Sequence, residues 1–270
     1  MGKYVDMHIH TFYSDGTMTP KEILEEALAK DITRISITDH NVLEGSRELW
    51  EAGKQYALEV IPGVELDALD LGLNVHILGY NFDFGDKKFA KFVDNNNKLL
   101  EEVNLKLIEK IEVDYDHISV DDYLHFTYDR RKGGWKTLYY LIERGLASNP
   151  WESMEVYEAY NHDNTCVEFL STEQICENIH AAGGKAILAH PGKVFKCGIE
   201  EHEKNLEYLI SKGIDGIECY YPTHTLEITN MCLKICKKHN LLITSGSDCH
   251  GSFSNTVIGQ MKTDVDSVKF

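Results

Sequence analysis

A short apolar run that closes on two histidines constrains this chain more than any other feature. Lys3-Tyr-Val-Asp-Met7 has the character of a strand and leads directly into His8-Ile9-His10. Alternate residues of an extended strand point to one face, so both imidazoles look the same way. Two neutral imidazoles on one face can both ligate a divalent metal. By itself an H-x-H pair is more often chance or a hydrogen-bonded pair, and its meaning depends on what recurs downstream.

What recurs is alternation. Thr19-Pro20-Lys21-Glu22 reads as a capping box with Thr19 as N-cap, and Ile23, Leu24, Ala27 and Leu28 follow at helical spacing. A second strand over 32–38 ends in Asp39-His40-Asn41, completing a strand–helix–strand unit with parallel strands. A helix over 43–56 follows, then a strand over 58–65 interrupted by Pro62-Gly63 and another over 73–80. Farther on, helices over 172–182, 201–211 and 226–239 each lead into a strand-like run. These runs close on His190-Pro-Gly192, Glu218-Cys-Tyr-Tyr-Pro222 and Asp248-Cys-His250. Residues 85–170 differ, with helical patterns over 89–111 and 135–146 and few strand signals. The expected organisation is an α/β unit over 1–84 and 171–270, with 85–170 a helical insertion that covers the substrate.

Composition narrows the partners. The formal charge is −17, from 27 basic and 44 acidic residues, which repels long nucleic acid and acidic membranes. No apolar run reaches the length of a spanning helix, and Met1-Gly-Lys passes into a strand without a signal-like region, so a cytoplasmic protein is expected. Seven cysteines without a C-x-x-C pair read as reduced, mostly buried thiols. The chain is expected to act as a monomer or small homo-oligomer on a small anionic substrate, drawn in by bound metals rather than by the overall field.

In parallel α/β architectures chemistry gathers where strand C-termini meet the following loops. His8 and His10 end strand one, and Asp15 follows in its loop. His40 follows strand two, Glu65 ends strand three, and His76 lies within the next. His190 ends a later strand, while Asp248 and His250 follow the last. Nine imidazoles and carboxylates so placed point to a metal centre. His117, His125, His180 and His202 fall in helical segments and read as solvated, and His239 as a helix C-terminal cap. Asp39 reads equally as a carboxylate that orients His40 or as a helix N-cap, and Glu218 as a structural acid near the site.

Several motifs resemble the PHP (polymerase and histidinol phosphatase) domain. They are His8-Ile-His10, Ser14-Asp15-Gly16, Thr38-Asp39-His40, Pro62-Gly63-Val64-Glu65, His76-Ile-Leu-Gly79, Ala189-His190-Pro191-Gly192 and Ser247-Asp248-Cys249-His250. Their spacing looks most like the stand-alone phosphoesterases that include 3′,5′-nucleoside bisphosphate phosphatases. The resemblance implies a distorted (β/α)7 barrel with a helical insertion and three divalent transition metal ions. By position, His8, His10, Glu65 and Asp248 would hold one metal, through which they act catalytically. Glu65 would bridge to a second metal held by His76 and His190, and Asp15, His40 and His250 would hold the third. Mixed nitrogen and oxygen donors suit Mn²⁺, Fe²⁺ or Zn²⁺. The implied reaction is hydrolysis of a small phosphate ester by attack of a metal-bridged hydroxide.

For substrate contacts the expected residues are His224, Lys193, Trp135 and Lys136. His224 opens a helix at the reactive end, and Lys193 follows the His-Pro-Gly turn. Related nucleotide phosphatases carry an Arg-x-His pair where this chain reads Gly133-Gly134-Trp135-Lys136. Lys136 would restore some charge and Trp135 would stack on a base or sugar, but bidentate arginine recognition is lost. Alternative functions are a phosphatase or cyclic phosphodiesterase on a sugar phosphate or histidinol phosphate, an exonuclease on short oligonucleotides, and a non-catalytic PHP module.

Overall fold

A computed structural model describes residues 3–270. In chain order the elements are β1 (Tyr4–Asp6), α1 (Pro20–Ala29), β2 (Ile32–Ile35), α2 (Glu44–Gly53), β3 (Glu59–Val60), β4 (Gly63–Asp70) and β5 (Leu73–Tyr80). Four helices follow without a strand: α3 (Lys87–Glu112), α4 (Val120–His125), α5 (Lys136–Glu143) and α6 (Pro150–Ala159). The chain ends with α7 (Thr172–Ala181), β6 (Lys185–Leu188), α8 (Pro191–Val194), α9 (Ile199–Ile210), β7 (Gly216–Tyr220), α10 (Leu226–His239) and β8 (Leu242–Ser245). The capping box forms as the sequence indicates. Glu22 N–H donates to Thr19 Oγ1 at 3.2 Å, and Glu22 Oε2 accepts from Thr19 N–H at 2.7 Å.

Parallel strands β1, β2 and β3 make one sheet, and β4-β5-β6-β7-β8 make a second. Isolated bridges join them at both margins: Ile9 pairs with Cys249, and His40 with Glu65. One expectation is corrected here. The third strand does not end at Glu65; β4 runs on to Asp70 and turns back into an antiparallel β5, which also pairs antiparallel with β6. The turn consists of Leu71 and Gly72, with φ of 54° and 70°. Two residues of positive φ match the twist of a tight hairpin, but Leu-Gly is not the Asn-Gly pair that announces one. His76 therefore reaches the site from a strand that runs the other way.

The main core fills the space between the second sheet and its helices, with Leu66, Ile77, Ile179, Leu206, Ile217 and Ile235 all fully buried. A second cluster, with Ile23, Ile35, Ile37 and Leu49, lies under the first sheet. A third is confined to the helical stretch and gathers Leu107, Ile111, Tyr123, Tyr140 and Leu141. The long α3 serves both ends: Phe89 and Val93 enter the main core, and Leu107, Ile108 and Ile111 enter the helical one. His202, read as solvated, is instead buried against Phe195, because it shares the inner face of α9 with Leu206 and Leu209. All seven cysteines are free thiols, five of them buried. No helix among the described residues is long and apolar enough to cross a membrane.

Candidate metal centre

The stretch after β1 stays extended, held by His10 N–H donating to Cys249 O and Asp248 N–H donating to His8 O, both at 2.9 Å. This places the His8 and His10 rings side by side, with their Nε2 atoms 3.1 Å apart. Glu65 Oε2 lies 3.1 Å from His8 Nε2 and 3.2 Å from His10 Nε2, and Asp248 Oδ1 lies 3.4 and 3.1 Å from the same atoms. Glu65 turns its other oxygen to a second pair, His76 Nδ1 at 2.9 Å and His190 Nε2 at 3.0 Å. Asp15 Oδ2 lies 3.2 Å from His250 Nε2 and 4.0 Å from His40 Nε2, while His40 Nε2 is also 3.4 Å from Glu65 Oε2. All nine residues singled out in the sequence thus come together. They fall into overlapping groups whose donor atoms lie within 4.8 Å of one another, and His10 joins the Asp15–His40–His250 group as well as its own.

Charge is concentrated where there is little water to disperse it. Burial opposes protonation of His10, but hydrogen bonds to Asp248 and Glu65 overcome it and push the imidazole up to about 10. His76 rises to about 10 in the same way, burial being outweighed first by Glu65 and then by Asp67. His190 moves the other way, to about 4, because burial outweighs its contact with Glu65. Burial pushes the Glu65 and Asp248 carboxyls up, yet the surrounding imidazoles hold both well below the usual carboxylate range. Two ring nitrogens facing each other at 3.1 Å, beside two buried carboxylates, form a donor set that fits a divalent transition cation. Buried nitrogens without a hydrogen-bond partner (Nδ1 of His10, His40 and His190) fit the same conclusion.

A further layer of buried acids aims these groups. Glu218 accepts from His190 N–H at 2.9 Å through Oε2, and its Oε1 lies 3.1 Å from His8 Nδ1. Its role is more specific than that of an acid merely near the site. Asp39 neither orients His40 nor caps α2. It accepts from Thr11 N–H, Thr11 Oγ1 and Ser14 Oγ, each at 2.7 Å, and so braces the loop that carries Asp15. Asp6 accepts from Ser247 N–H at 2.9 Å and Gly259 N–H at 2.7 Å, bracing the loop of Asp248; burial pushes its carboxyl up to about 6. His190 and Asp248 both sit in the left-handed region, with φ of 25° and 52°.

The expected substrate contacts divide. Lys193 Nζ lies 2.9 Å from Asp248 Oδ2, an oxygen that also accepts from Tyr221 Oη at 2.7 Å. Sequence reading missed Tyr221, since a tyrosine in Glu-Cys-Tyr-Tyr-Pro carries no ligand signal. His224 is committed elsewhere: its Nδ1 donates to Cys219 O at 3.0 Å and its Nε2 accepts from Gly192 N–H at 3.1 Å, which leaves no ring nitrogen for phosphate. Trp135 donates to Tyr157 Oη at 2.8 Å, and Lys136 reaches Leu124 O at 3.4 Å and the Tyr123 ring. Among the described residues, neither bonds to any of the nine. What meets the rim is the backbone before them: Gly134 N–H donates to Asp15 O at 2.7 Å. Gly133 and Gly134 have φ of 73° and 64°, and a Cβ on either would collide with the Phe253 ring or its Cβ. Trp151 stacks on the same phenyl ring, so the helical stretch grips Phe253 from two segments.

Comparisons with known proteins agree with this geometry. The PHP domain profile matches residues 6–220. A phosphoribosyl 1,2-cyclic phosphate 1,2-diphosphodiesterase of Eggerthella lenta is 27% identical over 260 residues, covering 92% of this chain and 94% of the relative. A 5′-3′ exoribonuclease of Haemophilus influenzae is 27% identical, covering 99% and 97%. A 3′,5′-nucleoside bisphosphate phosphatase of Chromobacterium violaceum is 24% identical, covering 91% and 87%. A crystal structure from Bifidobacterium adolescentis, described as a metal-dependent phosphoesterase, superposes with a TM-score of 0.78 at 25% identity, covering 99% and 94% of the two chains. The chain belongs to the PHP domain family and is a metal-dependent phosphoesterase.

Proposed function

We propose that the nine clustered residues hold three divalent transition cations and that the chain hydrolyses small phosphate esters. The carrying observation is Glu65, whose Oε2 faces His8, His10 and His40 while Oε1 faces His76 and His190. A carboxylate with each oxygen turned to a different set of imidazoles is placed to bridge. His8, His10, Glu65 and Asp248 would hold one cation, Glu65, His76 and His190 a second, and Asp15, His40 and His250 a third. Bound there, such ions supply Lewis-acid polarisation of phosphoryl oxygens and activate water near neutral pH. The chain's own groups do the rest. Glu218 keeps the His8 ring aimed, Tyr221 fixes the outer oxygen of Asp248, and Lys193, half-exposed beside it, pairs with a phosphate oxygen. The bridges between the two sheets support reading them as one distorted barrel, of seven strands when β3 and β4 are counted as one strand interrupted at Pro62, with residues 85–170 as its cover.

Within this class we favour a small monomeric ester, such as a nucleoside bisphosphate or a cyclic sugar phosphate, because a formal charge of −17 repels longer polyanions. A second reading, trimming of short oligonucleotides, rests on the run Arg130-Arg131-Lys132. Arg130 donates to Tyr13 O at 3.2 Å, two residues from Asp15. Hydrolysis of all three classes, read as phosphate freed from the bisphosphate, ring-opened monoester from the cyclic ester and mononucleotide from the oligonucleotide, with and without chelator, tests both readings. Turnover confined to monomeric esters supports the first, and turnover that needs an oligonucleotide supports the second. Activity untouched by exhaustive chelation overturns the metal assignment.

A further inference from the structure

β4 carries a second buried carboxylate, Asp67, two residues after Glu65 and on the same face. The antiparallel register sets it directly opposite His76. Asp67 is not one of the nine, yet its surroundings are unusually specified. Asn41 Nδ2 donates to its Oδ2 at 2.6 Å, Asn74 Nδ2 donates to its Oδ1 at 2.9 Å, and Asn164 Nδ2 lies 3.4 Å from Oδ1. Asn96, buried on α3, donates to the Asp67 carbonyl at 2.9 Å and to Asn41 Oδ1 at 2.7 Å. Three asparagines thus meet one carboxylate, and a fourth holds the carbonyl of the same residue.

The open edge of that enclosure faces the metal centre. His76 Nε2 lies 3.4 Å from Asp67 Oδ1, and His40 Nδ1 lies 4.0 Å from Asp67 Oδ2. His76 is therefore held between two acids, with Nδ1 toward Glu65 and Nε2 toward Asp67. If Nδ1 is to serve as a donor atom, the ring proton must sit on Nε2, where it needs an acceptor. Asp67 Oδ1 supplies one. Asn74 Nδ2 lies 2.9 Å from that oxygen and 3.0 Å from His76 Nε2, so one amide touches both groups. A carboxylate behind a ligating imidazole fixes the tautomer and raises ligand basicity.

We infer that Asp67 is a positioning residue for the Glu65–His76–His190 cation site, set in place by an amide enclosure that α3 closes through Asn96. This rests on the metal reading above. The amides already occupy both Asp67 oxygens, which favours positioning over direct ligation.

The test is a calorimetric titration of metal-free protein with Mn²⁺, with bound metal counted after dialysis and a thermal melt of each metal-free variant. Asp67→Asn should fold and bind one equivalent about 10–100-fold more weakly, with the others retained. Asn74→Ala, at a partly exposed position, should weaken the same equivalent by a smaller factor and melt close to wild type. An Asp67→Asn protein that folds and takes every equivalent with wild-type affinity overturns the inference. If Asp67→Asn does not fold, unchanged affinity in Asn74→Ala overturns it and a weakened equivalent supports it. Asn74→Ala binding at or above wild-type strength beside a weak Asp67→Asn would make Asp67 a direct ligand, which also overturns it. A wild-type chain that takes up no Mn²⁺, Zn²⁺ or Fe²⁺ defeats the metal reading itself, a result distinguishable from all of these.

Discussion

The rim around Glu65 and the helical stretch between β5 and α7 are built on different principles. On the rim, each polar side chain is a partner of another, and burial makes every unpaired member costly. In the helical stretch, Leu107, Ile111, Tyr140 and Leu141 make a core of apolar contacts that other residues of similar volume could replace. The two regions meet at the rim through Gly134, Asp15, Arg130 and the Phe253 ring, and behind it through Asn96 and Asn164, which bond Asp67. Substrate preference can therefore change through the helical stretch while the reactive centre is left alone, provided Asn96 and Asn164 are kept.

The sharpest way to break this contrast is Glu65→Gln. An amide cannot present two anionic oxygens to two sets of imidazoles. The rate of phosphate release should fall by about 10³-fold or more while the fold survives, as a rate assay beside a circular dichroism melt would show. Near-wild-type turnover would remove Glu65 from the chemistry. A smaller effect is expected of His250→Ala, which should lose about one bound metal and weaken that site by roughly 100-fold while the others stay filled. Elemental analysis that finds all metals kept, or all lost together, would show that the rim is not divided as proposed.

Protons should compete with metals on the rim and nowhere in the helical core. In the metal-free chain His10 and His76 are raised to about 10, so both carry a proton at pH 7 and must release it when a metal binds. The protonated forms prevail below that value, so apparent affinity should rise with pH, by about 10-fold per pH unit for each proton displaced. His190, lowered to about 4, is already neutral and adds nothing to that slope at pH 7. Titration calorimetry in buffers of different ionisation heat measures the release, and none at pH 7 would contradict the raised values. The smallest effect belongs to Trp135→Phe, which deletes the bond to Tyr157. It should cost about 1 kcal/mol of stability and leave the ranking of substrates unchanged. An altered ranking would return Trp135 to the substrate's side.

Legibility in the sequence followed the same divide. Residue types able to donate to a metal are few, so His8, His10, Asp15, His40, Glu65, His76, His190, Asp248 and His250 stood out by type and by their place after strands. The structure brings all nine together. The alternation of strands and helices was equally readable, as was the capping box at Thr19. The β4–β5 hairpin was not, because its turn uses leucine where asparagine would have signalled a positive φ. Asp67 and Tyr221 were hidden for another reason: within a strand or loop, a single acid or phenol looks the same whether it faces solvent or an imidazole. His224 was over-read, since a histidine that opens a helix is equally suited to bond backbone, as it does here.

His190 and Asp248 hold left-handed backbone angles that glycine or asparagine adopt more easily, at a cost of about 1–2 kcal/mol each. Directed evolution that rewarded only survival of heating would drift toward those residues, and would gain robustness as it dismantled the centre. At these two positions one residue sets both the backbone turn and the donor atom, so easing the first gives up the second.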